Sequence, residues 1–263
     1  MNISTFLSGE IAQFINGLGG TSAPTSLTVA LSAADPLADG SGLVEPSVSD
    51  GYARQPLTLT PPVCTPGAGT SSYNNMPLVF GPVTNNAWPT ITHIAVFDGT
   101  GTNMLFHGEL NVQRAAPVGD EISMAVNAIQ IQTKDYYSDF FGKMILNYLR
   151  GTDFPAPPLT TDLALSLTNP SQDGSTIDEP ILGYTRQPIT FTTTSVTNSG
   201  RVLTSNGPYI FGPADVLWGS ITHSALFTDA GDMLFFGPVA VQRTVGEDDS
   251  FAVPFGALTL LLT

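Results

Sequence analysis

The sequence predicts a mainly β protein made of two tandem homologous β-sandwich-like domains, each preceded by a short amphipathic α-helix. The main observation is a repeat: Gly-Tyr-x-Arg-Gln-Pro at 51–56 returns at 183–188, and Val-Gln-Arg at 112–114 returns at 241–243. The separation falls only from 132 residues (51 to 183) to 129 (112 to 241). Short apolar segments divided by Gly, Pro and Asp turns fill each copy, and this pattern is typical of β-sandwiches.

Each copy is predicted to begin with a helix, because apolar residues recur there at helical spacing. In the first copy these residues are Ile3, Phe6, Leu7, Ile11, Phe14 and Ile15, and in the second they are Phe140, Phe141, Met144, Ile145, Tyr148 and Leu149. Glycines or prolines close both runs. The joint is expected within 134–138, which gives domains at 1–133 and 134–263.

The rest of each copy is predicted to form strands. Residues 27–31 alternate in the manner of a half-covered strand and match 163–167. A second strand follows the Arg-Gln-Pro motif, and a third is predicted over 91–97. The copies end in matching apolar segments at 122–131 and 251–262.

Composition restricts the possible partners. The net charge of −14 repels phosphate backbones and predicts no direct nucleic-acid binding. No apolar run approaches the ~20 residues that span a bilayer, so no membrane partner is expected. Cys64 is the single cysteine, which excludes an internal disulfide. Only 11% of residues are charged, and this favours either extensive packing against other subunits or a Thr/Ser-rich β surface.

Twelve repeated residues are the candidate site residues. They are Tyr52, Arg54, Gln55, Pro56, Trp88 and His93 in the first copy, and Tyr184, Arg186, Gln187, Pro188, Trp218 and His223 in the second. An arginine kept twice in a chain poor in basic residues indicates either an anion receptor or a structural fork that binds an acidic side chain or loop carbonyls. The structural alternative is favoured, since proline follows at what reads as an edge strand.

The histidines are interpreted as half-buried structural residues rather than catalytic bases. No Gly-x-Ser-x-Gly motif accompanies them, and no acid recurs at a fixed spacing from them. The Asp-rich turns lack the spacing of a calcium loop, and no phosphate loop or zinc motif occurs. The prediction is therefore a protein without enzymatic activity, cofactor or metal. A carbohydrate-active enzyme would need a carboxylate pair, and the sequence marks none.

The order of motifs in each copy resembles a family of bacteriophage virion structural proteins. The shared pattern is an N-terminal helix, Gly-Tyr-x-Arg-Gln-Pro, Trp-x-x-Ile-Thr-His and Asn-x-Leu-Phe-x-Gly; here it is duplicated, with Asp232 at the asparagine position of the second copy. The resemblance implies a virion component assembled in the host cytoplasm, with the major capsid protein or other virion proteins as partners. Two copies per chain favour a trimeric decoration, or cement, protein on the head; the alternative is a tail, collar, baseplate or fibre protein. Contacts with the particle are expected in the unmatched loops and the two helices.

Overall fold

The computed structural model describes residues 1–197 and 200–262. Short antiparallel strands dominate and two α-helices accompany them, which confirms the predicted mainly β class. The helices are α1 (Thr5–Ile15) and α2 (Asp139–Tyr148). The strands of the first copy are β1 (Asn2–Ile3), β2 (Leu27–Ser32), β3 (Gln55–Leu57), β4 (Val63–Thr65), β5 (Gly69–Tyr73), β6 (Leu78–Phe80), β7 (Trp88–Asp98), β8 (Met104–Ala116), β9 (Ile122–Met124) and β10 (Gln130–Thr133). Those of the second copy are β11 (Thr161–Ser166), β12 (Gln187–Ile189), β13 (Phe191–Thr197), β14 (Gly200–Ser205), β15 (Tyr209–Phe211), β16 (Gly219–Thr228), β17 (Met233–Val245), β18 (Phe251–Val253) and β19 (Thr259–Leu262).

Each copy contains a large sheet, a small sheet and a two-stranded ribbon. The first large sheet has the order β1-β8-β7-β2-β3, and the second has the matching order β17-β16-β11-β12. The small sheets are β10-β5-β4 and β19-β14-β13, and the ribbons are β6-β9 and β15-β18. Every pair is antiparallel. The duplication therefore extends to strand order, and the apolar segments at the end of each copy each form two strands rather than one.

A serine fixes the start of each helix to the large sheet of its own copy. Ser4 Oγ accepts the amide of Leu7 at 3.1 Å and donates to the carbonyl of Met104 at 2.5 Å. Ser138 does the same in the second copy, accepting from Phe141 at 3.0 Å and donating to the carbonyl of Met233. An N-cap serine satisfies an amide that the helix leaves unpaired, so each helix begins at a fixed point on its sheet.

The other side of each helix packs against the small sheet of the other copy. Helix α1 lies between β8 and β14, whereas α2 lies between β17 and the small sheet formed by β4, β5 and β10. The helix ends repeat this relationship. The side chain of Asn16 accepts from the amide of Phe191 at 3.0 Å, and Arg150 Nε donates to the carbonyl of Leu59 at 3.3 Å. These four residues occupy equivalent positions in the two copies. The two copies therefore exchange their small sheets: each small sheet covers the helix of the other copy.

A single apolar core results from this exchange. Buried residues of both copies form one continuous cluster, and within it Phe14 of α1 stacks on Phe141 of α2 with 6.2 Å between ring centroids. Leu7 and Ile145 are fully buried. The expectation that the helices contact the particle is therefore wrong for most of their surface, because that surface is needed to join the two copies.

Candidate functional site

Tyr52, Arg54 and Glu45 form a hydrogen-bonded fork in the first copy. Arg54 binds Glu45 through Nη2 at 2.7 Å and Nε at 3.0 Å, and Tyr52 donates to the same carboxylate at 2.6 Å. The guanidinium also donates to the carbonyl of Gly101 at 3.0 Å and lies 3.9 Å above the ring centre of Phe97. These bonds join the loop that contains Glu45 to the start of β3 and to the turn between β7 and β8.

The fork recurs in the second copy with fewer hydrogen bonds. Arg186 binds Glu179 at 2.5 Å and lies 3.8 Å above the ring centre of Phe227. The hydroxyl of Tyr184 accepts a hydrogen bond from the amide of Leu165 at 2.9 Å. The hydroxyl of Tyr52 likewise accepts one from the amide of Leu31 at 3.0 Å. No carbonyl equivalent to that of Gly101 binds Arg186 within the described residues. Both arginines thus have the contacts of the structural alternative.

The electrostatics of the fork stabilise its existing protonation state. Hydrogen bonding to Glu45 raises the pKa of Arg54, and Glu179 does the same for Arg186. Burial raises the pKa of Tyr52 and Tyr184, and the adjacent carboxylates add to that rise. The tyrosines therefore stay neutral and the arginines stay charged at physiological pH, so the fork offers no proton for acid–base chemistry.

The repeated aromatic residues pack directly on the forks. Trp88 meets Tyr52 edge-on at 5.5 Å, and its indole donates to the carbonyl of Asp50 at 2.9 Å. Trp218 meets Tyr184 at 5.7 Å and donates to Leu182 at 2.9 Å. Phe80 stacks on Tyr52 and Phe211 stacks on Tyr184, with 6.4 Å and 5.8 Å between ring centroids. Buried aromatic rings with satisfied polar groups form a structural core rather than a ligand site.

The Gln-Pro pair that follows each arginine lies on an edge strand. Gln55 and Gln187 each donate to the carbonyl two residues earlier, at 3.1 Å. Pro56 faces Thr28 in the first large sheet, and Pro188 faces Asp162 in the second. Proline has no amide to donate, so its position at an edge agrees with the expected strand chemistry.

The two histidines lie apart from the forks. His93 and His223 are half-buried, and each ring Nδ1 shares a hydrogen bond with the preceding threonine, at 2.8 Å and 2.9 Å. Burial lowers the pKa of His223. No hydrogen bond or ion pair joins either histidine to a carboxylate in the part of the chain that is described. They lack the acid partner that a catalytic base requires.

Sequence reasoning missed the acidic half of the fork. Glu45 precedes Tyr52 by seven residues, whereas Glu179 precedes Tyr184 by five. A two-residue difference in loop length hid this equivalence. The signal that could have revealed it is the Glu-Pro dipeptide, which stands in the same loop of both copies.

Two clefts lie outside the forks. One of about 450 Å³ lies between α1, the loop at Asp39 and Arg201 of the other copy. The second, of about 740 Å³, lies at the joint, where Met1 and Tyr136 approach Phe236 and Leu260.

Over residues 1–197 and 200–262 no group of three His, Cys, Asp or Glu side chains could hold a metal ion. No helix among those residues is long and apolar enough to cross a membrane.

Comparison with known proteins identifies the family. No curated protein matches the chain. The family model described as "Gp80: Podophage GP4 fiber I protein gp80" matches residues 2–132 and, a second time, residues 136–261. The two matched regions coincide with the two copies of the repeat and leave only 133–135 between them. The chain is a bacteriophage virion structural protein and belongs to the Gp80 family, whose module it contains twice.

Proposed function

We propose that the chain is a non-enzymatic tail-fibre protein of a bacteriophage particle. The observation that carries this proposal is the double match to a family described as a podophage fibre protein. That description favours the tail alternative over the head-decoration interpretation that the sequence alone preferred.

The internal chemistry supports a structural role. Polar residues kept in both copies are bound to one another, as in the Arg54–Glu45 and Arg186–Glu179 pairs. Side chains engaged in this way position loops and hold a scaffold, and they are not free to bind a substrate. Partners are proposed to be other virion proteins, while the charge of −14 opposes nucleic acid.

The test compares particles with and without the gene product. Immunogold labelling of intact particles is expected at the tail, with a few tens of copies at most by quantitative mass spectrometry. Particles that lack the protein are expected to have intact, DNA-filled heads and to adsorb poorly. Label over the head at hundreds of copies per particle would overturn the tail assignment and support the decoration protein.

Enzymatic activity is tested separately. Purified protein and intact particles are incubated with host surface polysaccharide, and the products are followed by size-exclusion chromatography. We expect no change in polysaccharide length. Cleavage that depends on the purified protein would overturn the non-enzymatic part of the proposal without affecting its place on the tail.

A further inference from the structure

One half-buried arginine has no acidic partner. Arg54, Arg186 and Arg201 are the half-buried arginines of the described chain, and the first two bind carboxylates. Arg201 takes part in no ion pair within residues 1–197 and 200–262, and its hydrogen bond there runs from Nη2 to the carbonyl of Thr5 at 3.4 Å. Its Nε is buried without a partner. Taking a charge partly out of water is costly unless the charge is paired, so this guanidinium has an unmet need for an anion.

Arg201 lies where the first copy has a threonine. It is the second residue of β14, and Thr70 is the second residue of β5. Each covers a helix: Thr70 lies against Gly142 of α2, and the guanidinium of Arg201 lies against Gly9 of α1. Because a short, buried threonine fills this position in the first copy, the repeated scaffold does not require an arginine there.

The guanidinium of Arg201 lines the cleft of about 450 Å³ beside α1. This volume lies within the range of small-molecule sites, about 300–1,000 Å³. The side chains of Gln13 and Thr102 also line the cleft and make no hydrogen bond in the described part of the chain, and Thr5 Oγ1 is buried beside it without a partner. Phe6 adds an apolar wall. The cleft therefore combines a cation with neutral polar groups and an aromatic ring.

Two carboxylates line the same cleft, and both are bound elsewhere. Glu10 Oε2 accepts from the amide and the hydroxyl of Thr21 at 2.6 Å and 3.0 Å. Asp39 Oδ1 accepts from the amide and the hydroxyl of Ser41 at 2.9 Å and 2.7 Å. Neither forms an ion pair with Arg201. Their charges leave the guanidinium unpaired but repel polyanions, so the cleft favours a ligand with a single negative charge.

We propose that Arg201 and this cleft bind a small ligand that carries one carboxylate and several hydroxyl groups, which is the chemistry of an acidic sugar. The planar fork of N–H donors on a guanidinium matches the two oxygens of a carboxylate. Gln13 and Thr102 supply hydrogen-bonding groups for hydroxyls. Since α1 belongs to the first copy and Arg201 to the second, the site requires both copies. This inference goes beyond the tail-fibre proposal and does not depend on it.

Calorimetric titration of the full chain with four small probes tests the ligand class. Glucuronate is expected to bind, and glucose is expected to give no measurable binding because it lacks the carboxylate. Acetate lacks the hydroxyl groups and is expected to bind at least about tenfold more weakly than glucuronate. Inorganic phosphate is also expected to bind more weakly, because its second charge meets Glu10 and Asp39. No binding of glucuronate, or glucose, acetate or phosphate binding as tightly as glucuronate, would overturn the proposal.

A matched pair of variants tests the role of the arginine. Arg201→Thr introduces the residue of the first copy and is expected to weaken glucuronate binding at least about tenfold. Arg114→Ala removes the same charge from an exposed position and should leave binding unchanged. Because Arg201→Thr removes an unpaired charge, its melting temperature should be no lower than that of the wild type. Unchanged binding by Arg201→Thr, or an equal loss in both variants, would contradict a site at Arg201.

Arg201→Lys provides a second measurement that keeps the charge and the length of the side chain. Lysine lacks the planar fork, so this variant is expected to bind glucuronate more weakly than the wild type and more tightly than Arg201→Thr. If Arg201→Thr does not fold, the lysine variant decides alone, and wild-type affinity in it would rule out recognition by the fork. Circular dichroism confirms that each variant is folded before titration.

Discussion

The side chain of Asn16, at the end of α1, accepts a hydrogen bond from the backbone amide of Phe191, 175 residues further along the chain. Its equivalent, Arg150, binds the carbonyl of Leu59, the equivalent of Phe191. The reciprocity shows that each helix is completed by the other copy. The two repeats therefore depend on each other through their cores as well as through the chain that joins them.

Cleavage at the joint tests this dependence. A protease site inserted between Lys134 and Asp135 leaves the Ser138 cap intact. After cleavage the two fragments are expected to stay associated, because the two copies share a continuous core. Size-exclusion chromatography under native conditions and a single calorimetric transition measure this. Separation of the two fragments, or two independent transitions, would contradict a shared core.

Glycines on the two helices should respond differently to alanine. A Cβ at Gly142 would collide with Thr133 and lie 2.8 Å from Thr70 Oγ1, whereas one at Gly9 would meet only the flexible end of Arg201 at 3.2 Å. Gly142→Ala is expected to lower the free energy of unfolding by about 1–3 kcal/mol, because the added methyl group overpacks the contact. Gly9→Ala is expected to be neutral or to stabilise by up to about 1 kcal/mol, since alanine favours helix. Urea denaturation of the two variants compares them, and equal effects would rule out the tight contact at Gly142.

The two arginine forks should contribute unequally to stability. Arg54→Ala is expected to lower the free energy of unfolding by about 1–3 kcal/mol, because Glu45 and the carbonyl of Gly101 lose their partner. Arg186→Ala is expected to cost less, since Arg186 lacks the additional carbonyl bond that Arg54 makes to Gly101. Arg54→Lys controls for charge and should recover only part of the loss, because lysine cannot reproduce the fork. An Arg54→Ala variant of wild-type melting temperature but altered binding would show that the arginine is a ligand site.

The helix caps provide a symmetric pair. Ser4→Ala and Ser138→Ala each remove a cap and a bond to the large sheet, and each is expected to cost about 1 kcal/mol or more. Because both helices lie in one core, either variant should lower the midpoint temperature of a single unfolding transition and should not produce two transitions. Thermal denaturation checks this, with the threonine variants as controls that retain a hydroxyl group. A loss confined to one half of the chain would argue against cooperative folding.

Stability should decline in mild acid because of His107. This side chain is buried, and burial lowers its pKa below the ordinary value of 6.5, although Asp35 at 3.3 Å opposes part of that shift. The unfolded chain binds a proton at about pH 6.5 and the folded chain does not, so stability is fully present above that pH and decreases below it.

His107→Phe is the matched control for this pH dependence, because Phe236 occupies the equivalent position of the second copy. The free energy of unfolding of the variant, measured by urea titration between pH 7.5 and 5, should fall less than that of the wild type. Both proteins retain Asp35 and His93, so their difference isolates His107. Parallel pH profiles would show that His107 is not the titrating group.

Much of the large sheets could be predicted from the sequence. Residues 27–31 and 91–97 lie within β2 and β7, because alternating apolar residues report directly that one side of a strand is covered. The helices were also predictable, since their apolar residues recur at helical spacing. The central strand of the first small sheet was not. Strand β5 is Gly-Thr-Ser-Ser-Tyr, and its buried residues are polar, so it has no hydrophobic alternation to detect.

The arginine forks also divide into a part that the sequence predicts and a part that only the fold shows. Arg54 and Arg186 could be found by the repeat, whereas Glu45 and Glu179 come from loops of different length and meet them only in the folded chain. An ion pair depends on position in space, and a change of loop length alters sequence spacing without moving the charge. The interpretation of a structural fork was accessible; the identity of its carboxylate required the fold.

By itself the sequence determined that the protein is a duplicated, mainly β chain with two helices, because period and repetition are local properties that residues display along the chain. The tertiary structure decided which sheet covers each helix. Reciprocal packing of α1 on β14 and of α2 on β5 rests on small or polar side chains such as Gly142 and Thr70, whose contacts form only when distant segments meet. Long-range packing of this kind leaves no periodic trace, and so the joining of two copies into one core could be seen only in three dimensions.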